Sequence, residues 1–269
     1  MPDHYRAFFG LHTDPFRSDL RHQDILPTGE LQSVANKIAY AVQLGSAAIV
    51  TGDIGSGKST AVRYAAANFH PSEYKIIYIT ATSGAIMELY RQIISELGRH
   101  RSSNSKAVMT GLIKKEIQSL VEDKKMKVVL IVDEASLLRI EVLAELHTLC
   151  QFHKDASPYL PLILAGQNHL VDKLSYRASA ALASRVVARS HLEGLNREDM
   201  AHYLLHHLNL AGVKSPLFDE TAVTAIHQGA GGLLRKANHL ARGALIAAAK
   251  EKSQTATAEH VRLAATEIF

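Results

Sequence analysis

The sequence predicts an α/β protein, with a parallel five-stranded sheet carrying helices on both faces and a small all-helical domain after it. Three observations carry this. Four short runs rich in Ile, Val and Leu, residues 47–51, 75–80, 128–132 and 161–165, do not alternate with polar residues. That is how strands buried on both faces read. Longer stretches with helical spacing separate these runs, and strands alternating with helices build parallel sheets. Beyond residue 193 no strand-like run occurs and helical spacing takes over.

Taken in order, the first run ends in a glycine-rich loop followed by a helix-compatible segment, residues 60–68. Residues 99–106 (RHRSSNSK) are polar throughout and read as an exposed loop. A fifth strand, residues 185–192, alternates more than the others, as an edge strand does. In the helical part, Asn196 is placed to cap a helix whose first turn holds Glu198 and Asp199, acids that suit the positive end of the dipole. Further helices are expected from about Asp219, from residues 234–250 after a glycine cluster, and over 258–268. These assignments divide the chain into an α/β core with an N-terminal linker, residues 1–192, and a helical lid, residues 193–269.

Composition narrows the classes. Hydrophobic residues at 47% and charged residues at 21% exclude disordered, collagenous and coiled-coil chains. A net charge of +4 permits nucleic-acid binding without requiring it. The single cysteine, Cys150, excludes a disulfide framework and argues against a cysteine-ligated zinc. The N-terminus, with Asp3, His4, Arg6 and Asp14, has no apolar signal segment. The long uncharged stretch at residues 38–52 falls short of the roughly 20 apolar residues that cross a bilayer. The chain is expected to be soluble and cytoplasmic, with no membrane partner.

Gly52, Asp53, Ile54, Gly55, Ser56, Gly57, Lys58 and Ser59 match G-x-x-x-x-G-K-[ST] in full, between a strand and a helix. Glycines let the backbone curl so that successive N–H groups converge on one anion, and the helix after them adds its positive end. Lys58 is expected to reach the β- and γ-phosphates of ATP, and Ser59 to ligate Mg²⁺, with Thr60 completing the binding segment. The second half of the site is VVLIVDE, residues 128–134. Asp133 at the strand tip can hold Mg²⁺ through its water shell. Glu134 can orient and deprotonate the attacking water, which favours hydrolysis over mere nucleotide holding. The bland alternative is a solvated Asp-Glu turn.

Phosphoryl transfer depends on charge stabilisation, so further polar and cationic groups are expected. Gln167 follows the strand at 161–165 and is placed for the γ-phosphate or the water, unless it is only a turn residue beside Asn168. Arg185 and Arg189 are candidates for an arginine finger reaching a neighbouring subunit, Arg185 being the one expected to complete the site, with a domain-interface salt bridge as the alternative. Arg235 follows Gly231 and Gly232 and either reaches back to the nucleotide or is a solvated helix-start arginine.

This order of parts resembles an AAA+ ATPase. The finer resemblance is to the ExeA-like ATPases. It rests on Phe8, Phe9, Gly10 and Leu11 with Asp14, Pro15 and Phe16; on Leu164, Ala165, Gly166 and Gln167; on Ser184, Arg185 and Val186 with Arg189; on Tyr203 to Gly212 (YLLHHLNLAG); and on the run GLLRKAN at 232–238. Two positions depart from the family pattern: Asn168 and Leu234 each stand where proline is usual. The resemblance implies an ATP-hydrolysing, Mg²⁺-dependent subunit of a ring or helical filament. It covers two branches. One is a secretion-assembly ATPase acting on protein or membrane partners, which carries a membrane span and a cell-wall-binding domain after the ATPase. The other is the transposition regulators of the TnsC, TniB, MuB and IstB type, which bind double-stranded DNA and recruit a transposase or integrase. The sequence runs to Phe269 with neither appended domain, so the transposition branch is the expectation and the secretion branch the alternative.

On that expectation, DNA backbone contacts fall after the second strand, on Thr82, Ser83, Arg91, Arg99, Arg101, Lys106, Lys114 and Lys115. A basic face that is simply solvated is the competing reading. His202 and His206 stand four apart on one helix beside His207, a spacing able to bind metal, yet no third ligand is evident. They read as a solvated face, and Cys150 as a core residue. Phe8, Phe9 and Phe16 either dock near the adenine or anchor packing.

Overall fold

In this computed structural model, which describes residues 3–99 and 103–267, each apolar run becomes a strand. In chain order the elements are α1 (Asp3–Phe9), α2 (Gly29–Gln43), β1 (Ala47–Gly52), α3 (Lys58–Ala67), β2 (Tyr74–Thr80), α4 (Ile86–Glu96) and α5 (Lys106–Gln118). Then follow β3 (Lys127–Asp133), α6 (Ile140–Leu149), β4 (Leu162–Gly166), α7 (His169–Ser175), α8 (Ala180–Ala183) and β5 (Val186–Leu192). The chain closes with α9 (Arg197–Leu210), α10 (Glu220–Ala230), α11 (Leu234–Lys250) and α12 (Ala258–Glu267).

The strands form one parallel sheet in the order β2-β3-β4-β1-β5. The alternating strand, β5, is at an edge as expected. The three central strands read as unbroken apolar runs because both of their faces are covered. On one face Ala47, Ile49, Val128, Leu130, Val132, Leu162 and Leu164 join Tyr90, Ile93, Ile113, Leu146 and Leu170 in a single core. The alternate residues, among them Val50, Ile131, Ile163 and Ala165, are equally buried and face the other way, where α3 lies on β1 and β4 and α2 on β1 and β5. Each fully buried Ile or Leu contributes about 1.5–3 kcal/mol. Cys150 belongs to this core, and burial pushes its thiol up to about 12.

The chain divides into two units. The sheet and its helices, residues 29–52 and 58–192, form one; residues 1–28, 53–57 and 193–269 form the other. One of the divisions falls between Leu192 and Glu193. Residues 3–28, grouped with the α/β core in the sequence reading, pack instead with the C-terminal helices. The cause is apolar: Tyr5, Phe9, Leu11 and Phe16 are buried in one cluster with Met200, Leu204, Leu208, Leu240 and Leu245. Phe9 and Phe16 are therefore packing anchors, and Phe8 packs edge-on against Phe9 with ring centres 4.8 Å apart.

Polar groups fix this segment as well. His207, also buried, donates from Nδ1 to the Pro15 carbonyl at 2.7 Å, and His206 donates from Nε2 to the Asp24 carbonyl at 2.8 Å. Burial keeps His207 neutral and lowers its pKa to about 4. The expectation of a solvated histidine face is thus corrected: two of its members hold the N-terminal segment. Among the described residues no cluster of three metal-ligating side chains exists. The caps follow the sequence, with Asn196 Oδ1 accepting from Asp199 N at 2.8 Å and Asp219 Oδ1 from Ala222 N at 2.7 Å.

Candidate active site

Strand register brings the site residues to one edge of the sheet. Thr51 pairs with Gly166, Val132 with Leu164, and Thr80 with Asp133. The C-terminal tips of β1, β4, β3 and β2 therefore end level, and the residues just past them share one rim. In parallel α/β sheets this rim is where ligands bind.

Within the α/β unit, Lys58 opens α3 and is buried, and its Nζ donates to the Gly52 carbonyl at 2.9 Å. Because α3 starts at this residue, the N–H groups of its first turn are not consumed by the helix. Ser59 is exposed beside it and Thr60 half-buried. Asp133 is only 6% exposed. Its Oδ1 accepts from the Glu134 N–H at 2.8 Å, and its Oδ2 accepts from the Tyr78 hydroxyl, also at 2.8 Å. Burial first, and then Asp133, hold the Tyr78 phenol protonated far above its ordinary range.

Glu134 sits in the left-handed region, at φ 53° and ψ 30°. A non-glycine residue there carries a local cost that functional sites tolerate. The turn after it is clamped by α7. Lys173 Nζ donates to the Ser136 and Leu138 carbonyls at 2.6 and 2.8 Å, and His169 Nε2 donates to Ser136 O at 3.1 Å. Gln167 is half-buried at the tip of β4. Just before it, a Cβ on Gly166 would lie 2.8 Å from the Ser136 N, so this strand end and the turn after Glu134 touch backbone to backbone.

Within the helical unit lies the tip of the glycine loop, residues 53–57. Gly55 and Gly57 take φ of +88° and +97°, the conformations glycine permits. Asp53 and Ile54 are exposed. Ser56 Oγ is buried without a hydrogen-bond partner. The Arg235 N–H donates to the Gly55 carbonyl at 3.2 Å, and a Cβ on Gly55 would meet the Arg235 Cβ at 2.9 Å. An orphaned hydroxyl in a loop of left-handed glycines, with Arg235 against it, fits a phosphate group.

The two candidate finger arginines differ. Arg185 is held inside its own unit, by the Asp155 carboxylate and by His147, to whose Nδ1 its Nε donates at 3.1 Å. Burial, and after it Arg185, lower the His147 pKa. Arg189 is exposed on β5; its carbonyl accepts from Lys37 Nζ at 2.8 Å, and no partner for its guanidinium is found among the described residues. The residues expected to meet DNA also separate. Arg99 pairs with Glu116 at 3.0 Å, and Lys106 pairs with Glu145. Lys114 donates to the Gln151 carbonyl at 2.7 Å, 5.6 Å from the Phe152 ring centre, and burial lowers its pKa. Thr82, Ser83, Arg91 and Lys115 are exposed, and the Ser83 carbonyl accepts from Arg139. Arg101 lies outside the described residues.

The sequence reading missed Tyr78 and Lys173, and gave Gly166 no role beyond its place in the family resemblance. A tyrosine in a run of buried aliphatics signals a hydroxyl in need of a partner, but the partner is visible only once the register is known.

Comparison with known proteins agrees with this geometry. Residues 43–174 match the family described as AAA domain. The chain is 30% identical over 267 residues to General secretion pathway protein A of Aeromonas hydrophila, covering 98% of this chain and 48% of that protein. It thus spans about half the length of the curated relative it matches. Among solved structures, Cdc6p from Pyrobaculum aerophilum superposes with a TM-score of 0.71 at 18% identity, covering 98% of this chain and 71% of that one. The ORC1 protein of Aeropyrum pernix in complex with DNA does so with a TM-score of 0.69 at 19% identity, covering 94% and 68%. Likenesses this distant speak to the fold alone. Residues 43–174 thus carry an AAA domain, and the fold is that of the AAA+ P-loop ATPases, which use ATP with Mg²⁺.

Proposed function

We propose that the chain hydrolyses ATP as the nucleotide-driven subunit of a secretion-assembly system, acting on a protein partner. The observation that carries the partner class is the 30% identity to General secretion pathway protein A along 98% of the chain. The hydrolytic part rests on Lys58, Ser59, Asp133 and Glu134 gathered at the ends of β1 and β3.

In this reading the loop from Gly52 to Thr60 binds the triphosphate, with Lys58 offsetting charge on the β- and γ-phosphates. Ser59 and Asp133 hold Mg²⁺, which when bound neutralises phosphate charge. Glu134 accepts the proton of the attacking water as the bond from the γ-phosphorus to the ADP oxygen breaks. Gln167 orients that water, and Arg235 is a candidate for a further cation on the phosphates. Arg189, whose guanidinium has no partner among the described residues, is the better placed of the two arginines to complete the site of a neighbouring copy.

A second reading, an ATP-dependent DNA-binding regulator of transposition that recruits a transposase, is favoured by Arg91 and Lys115. Both are exposed and without a side-chain partner among the described residues. The fold likeness to the DNA-bound ORC1 is compatible with it. ATP turnover with and without double-stranded DNA, at low and moderate salt, separates the two. The secretion reading expects the same turnover in all conditions. DNA-stimulated turnover that fades with salt contradicts it and supports the second reading.

A further inference from the structure

We infer that Tyr78 is a positioning residue for Asp133: its hydroxyl fixes the carboxylate that the proposed magnesium shell requires. The inference rests on the ATPase site proposed above and adds to it a residue outside both nucleotide motifs.

The register makes the contact. Tyr78 pairs with Ile131 and Thr80 with Asp133 across adjacent parallel strands. Side chains two apart on a strand share a face, so Ile131, Asp133 and Tyr78 point the same way. A tyrosine is long enough to span the diagonal to Asp133, and its hydroxyl donates to Oδ2 at 2.8 Å. The other oxygen, Oδ1, accepts from the Glu134 N–H at 2.8 Å. Each carboxylate oxygen thus has one donor from the protein and keeps further acceptor capacity. The rotation of the carboxylate is set before any ligand arrives.

The chemistry of the donor matters. An arginine or lysine at this position would orient Asp133 but would also compete with a cation for its charge. A phenol orients the carboxylate and leaves its charge in place. Partners that orient a ligating carboxylate in this way typically govern metal affinity by about 10- to 100-fold. Tyr78 and Glu134 N–H together also link the carboxylate to the strained turn that presents Glu134.

The test is Tyr78→Phe, which keeps the ring and removes only the hydroxyl, compared with Asp133→Asn and the unaltered chain. The first readout needs no turnover: binding of a fluorescent ATP analogue titrated with Mg²⁺, alongside binding in excess chelator. The second is the Mg²⁺ dependence of ATP hydrolysis. Tyr78→Phe is expected to raise the Mg²⁺ concentration at half effect about tenfold in both, with metal-free nucleotide binding and the melting transition unchanged. Restored turnover at high Mg²⁺ is expected for Tyr78→Phe but not for Asp133→Asn.

If Asp133→Asn shifts the Mg²⁺ dependence and Tyr78→Phe does not, the tyrosine bond is only structural and the inference is overturned. If neither shifts it, the assignment of Asp133 fails and takes the inference with it. Should Tyr78→Phe lower the melting transition, Tyr78→His, which retains a donor, supports the inference if it recovers Mg²⁺ affinity and overturns it if it recovers stability alone.

Discussion

Arg242 ties the start of the chain to the helical unit: its Nε donates to Asp14 Oδ2 at 2.8 Å and its Nη2 to the Phe16 carbonyl at 2.6 Å. The pair is about one-third exposed on each side, so it is neither a weak surface bridge nor a fully desolvated one. Hydrogen bonds to charged groups contribute about 1.5–3 kcal/mol each before screening. Arg242→Ala is expected to lower the stability of the helical unit by about 2 kcal/mol in denaturant titration. A double-mutant cycle with Asp14→Ala should give a coupling of about 1 kcal/mol. Additive effects would show that the contact has no energetic role.

His207 predicts a pH dependence for the same attachment. Its folded pKa of about 4 lies below the unfolded value of 6.5. As the pH falls, the unfolded chain takes up the proton first. The stability is complete above pH 6.5 and is lost between 6.5 and 4, at about 1.4 kcal/mol per pH unit. His207→Phe, which cannot titrate, should remove that slope while costing stability at pH 7 through the lost bond to Pro15. Parallel acid profiles for the two proteins would contradict the assignment.

Gly166 predicts a coupling between the end of β4 and the turn after Glu134. Any side chain there drives a Cβ to 2.8 Å from the Ser136 N, and backbone does not yield as a flexible side chain would. Gly166→Ala is expected to cost about 1–3 kcal/mol. It should also lower hydrolysis at saturating ATP more than it weakens ATP binding, because the turn that carries Glu134 moves while Lys58 does not. Equal loss in both measurements would argue for general unfolding of the site.

The two finger candidates predict different stability effects. Arg185→Ala removes contacts to Asp155 and His147 and should destabilise the α/β unit by about 1–2 kcal/mol. Arg189→Ala should leave stability within about 0.5 kcal/mol while lowering turnover in a concentration-dependent manner, as a residue acting on a neighbouring copy does. Turnover that survives Arg189→Ala and disappears with Arg185→Ala at full stability would reverse the choice.

The strands were legible because burial on both faces leaves nothing but apolar residues to read: the runs at 47–51, 128–132 and 161–165 lie within a residue of β1, β3 and β4. Lys58, Asp133 and Glu134 were legible because the phosphate loop and the acidic strand tip are local in sequence. What stayed hidden depended on long-range pairing. His207 meets Pro15 across 192 positions, and Tyr78 meets Asp133 across 55. Periodicity carries no information on either. The internal pairing of Arg99, Lys106 and Lys114 was hidden for the same reason, since a basic residue looks identical whether it faces solvent, a glutamate or a backbone carbonyl elsewhere in the fold.

Phosphate release from saturating Mg–ATP, measured for the unaltered chain, Lys58→Ala and Glu134→Gln beside nucleotide binding, tests the central claim most directly. The account predicts that Lys58→Ala loses binding and hydrolysis together. It predicts that Glu134→Gln binds ATP normally and hydrolyses it at least about 100-fold more slowly, the loss typical of a group that acts on the proton in flight. A Glu134→Gln protein that turns over at the normal rate would contradict it, and the strained turn at Glu134 would then need another explanation.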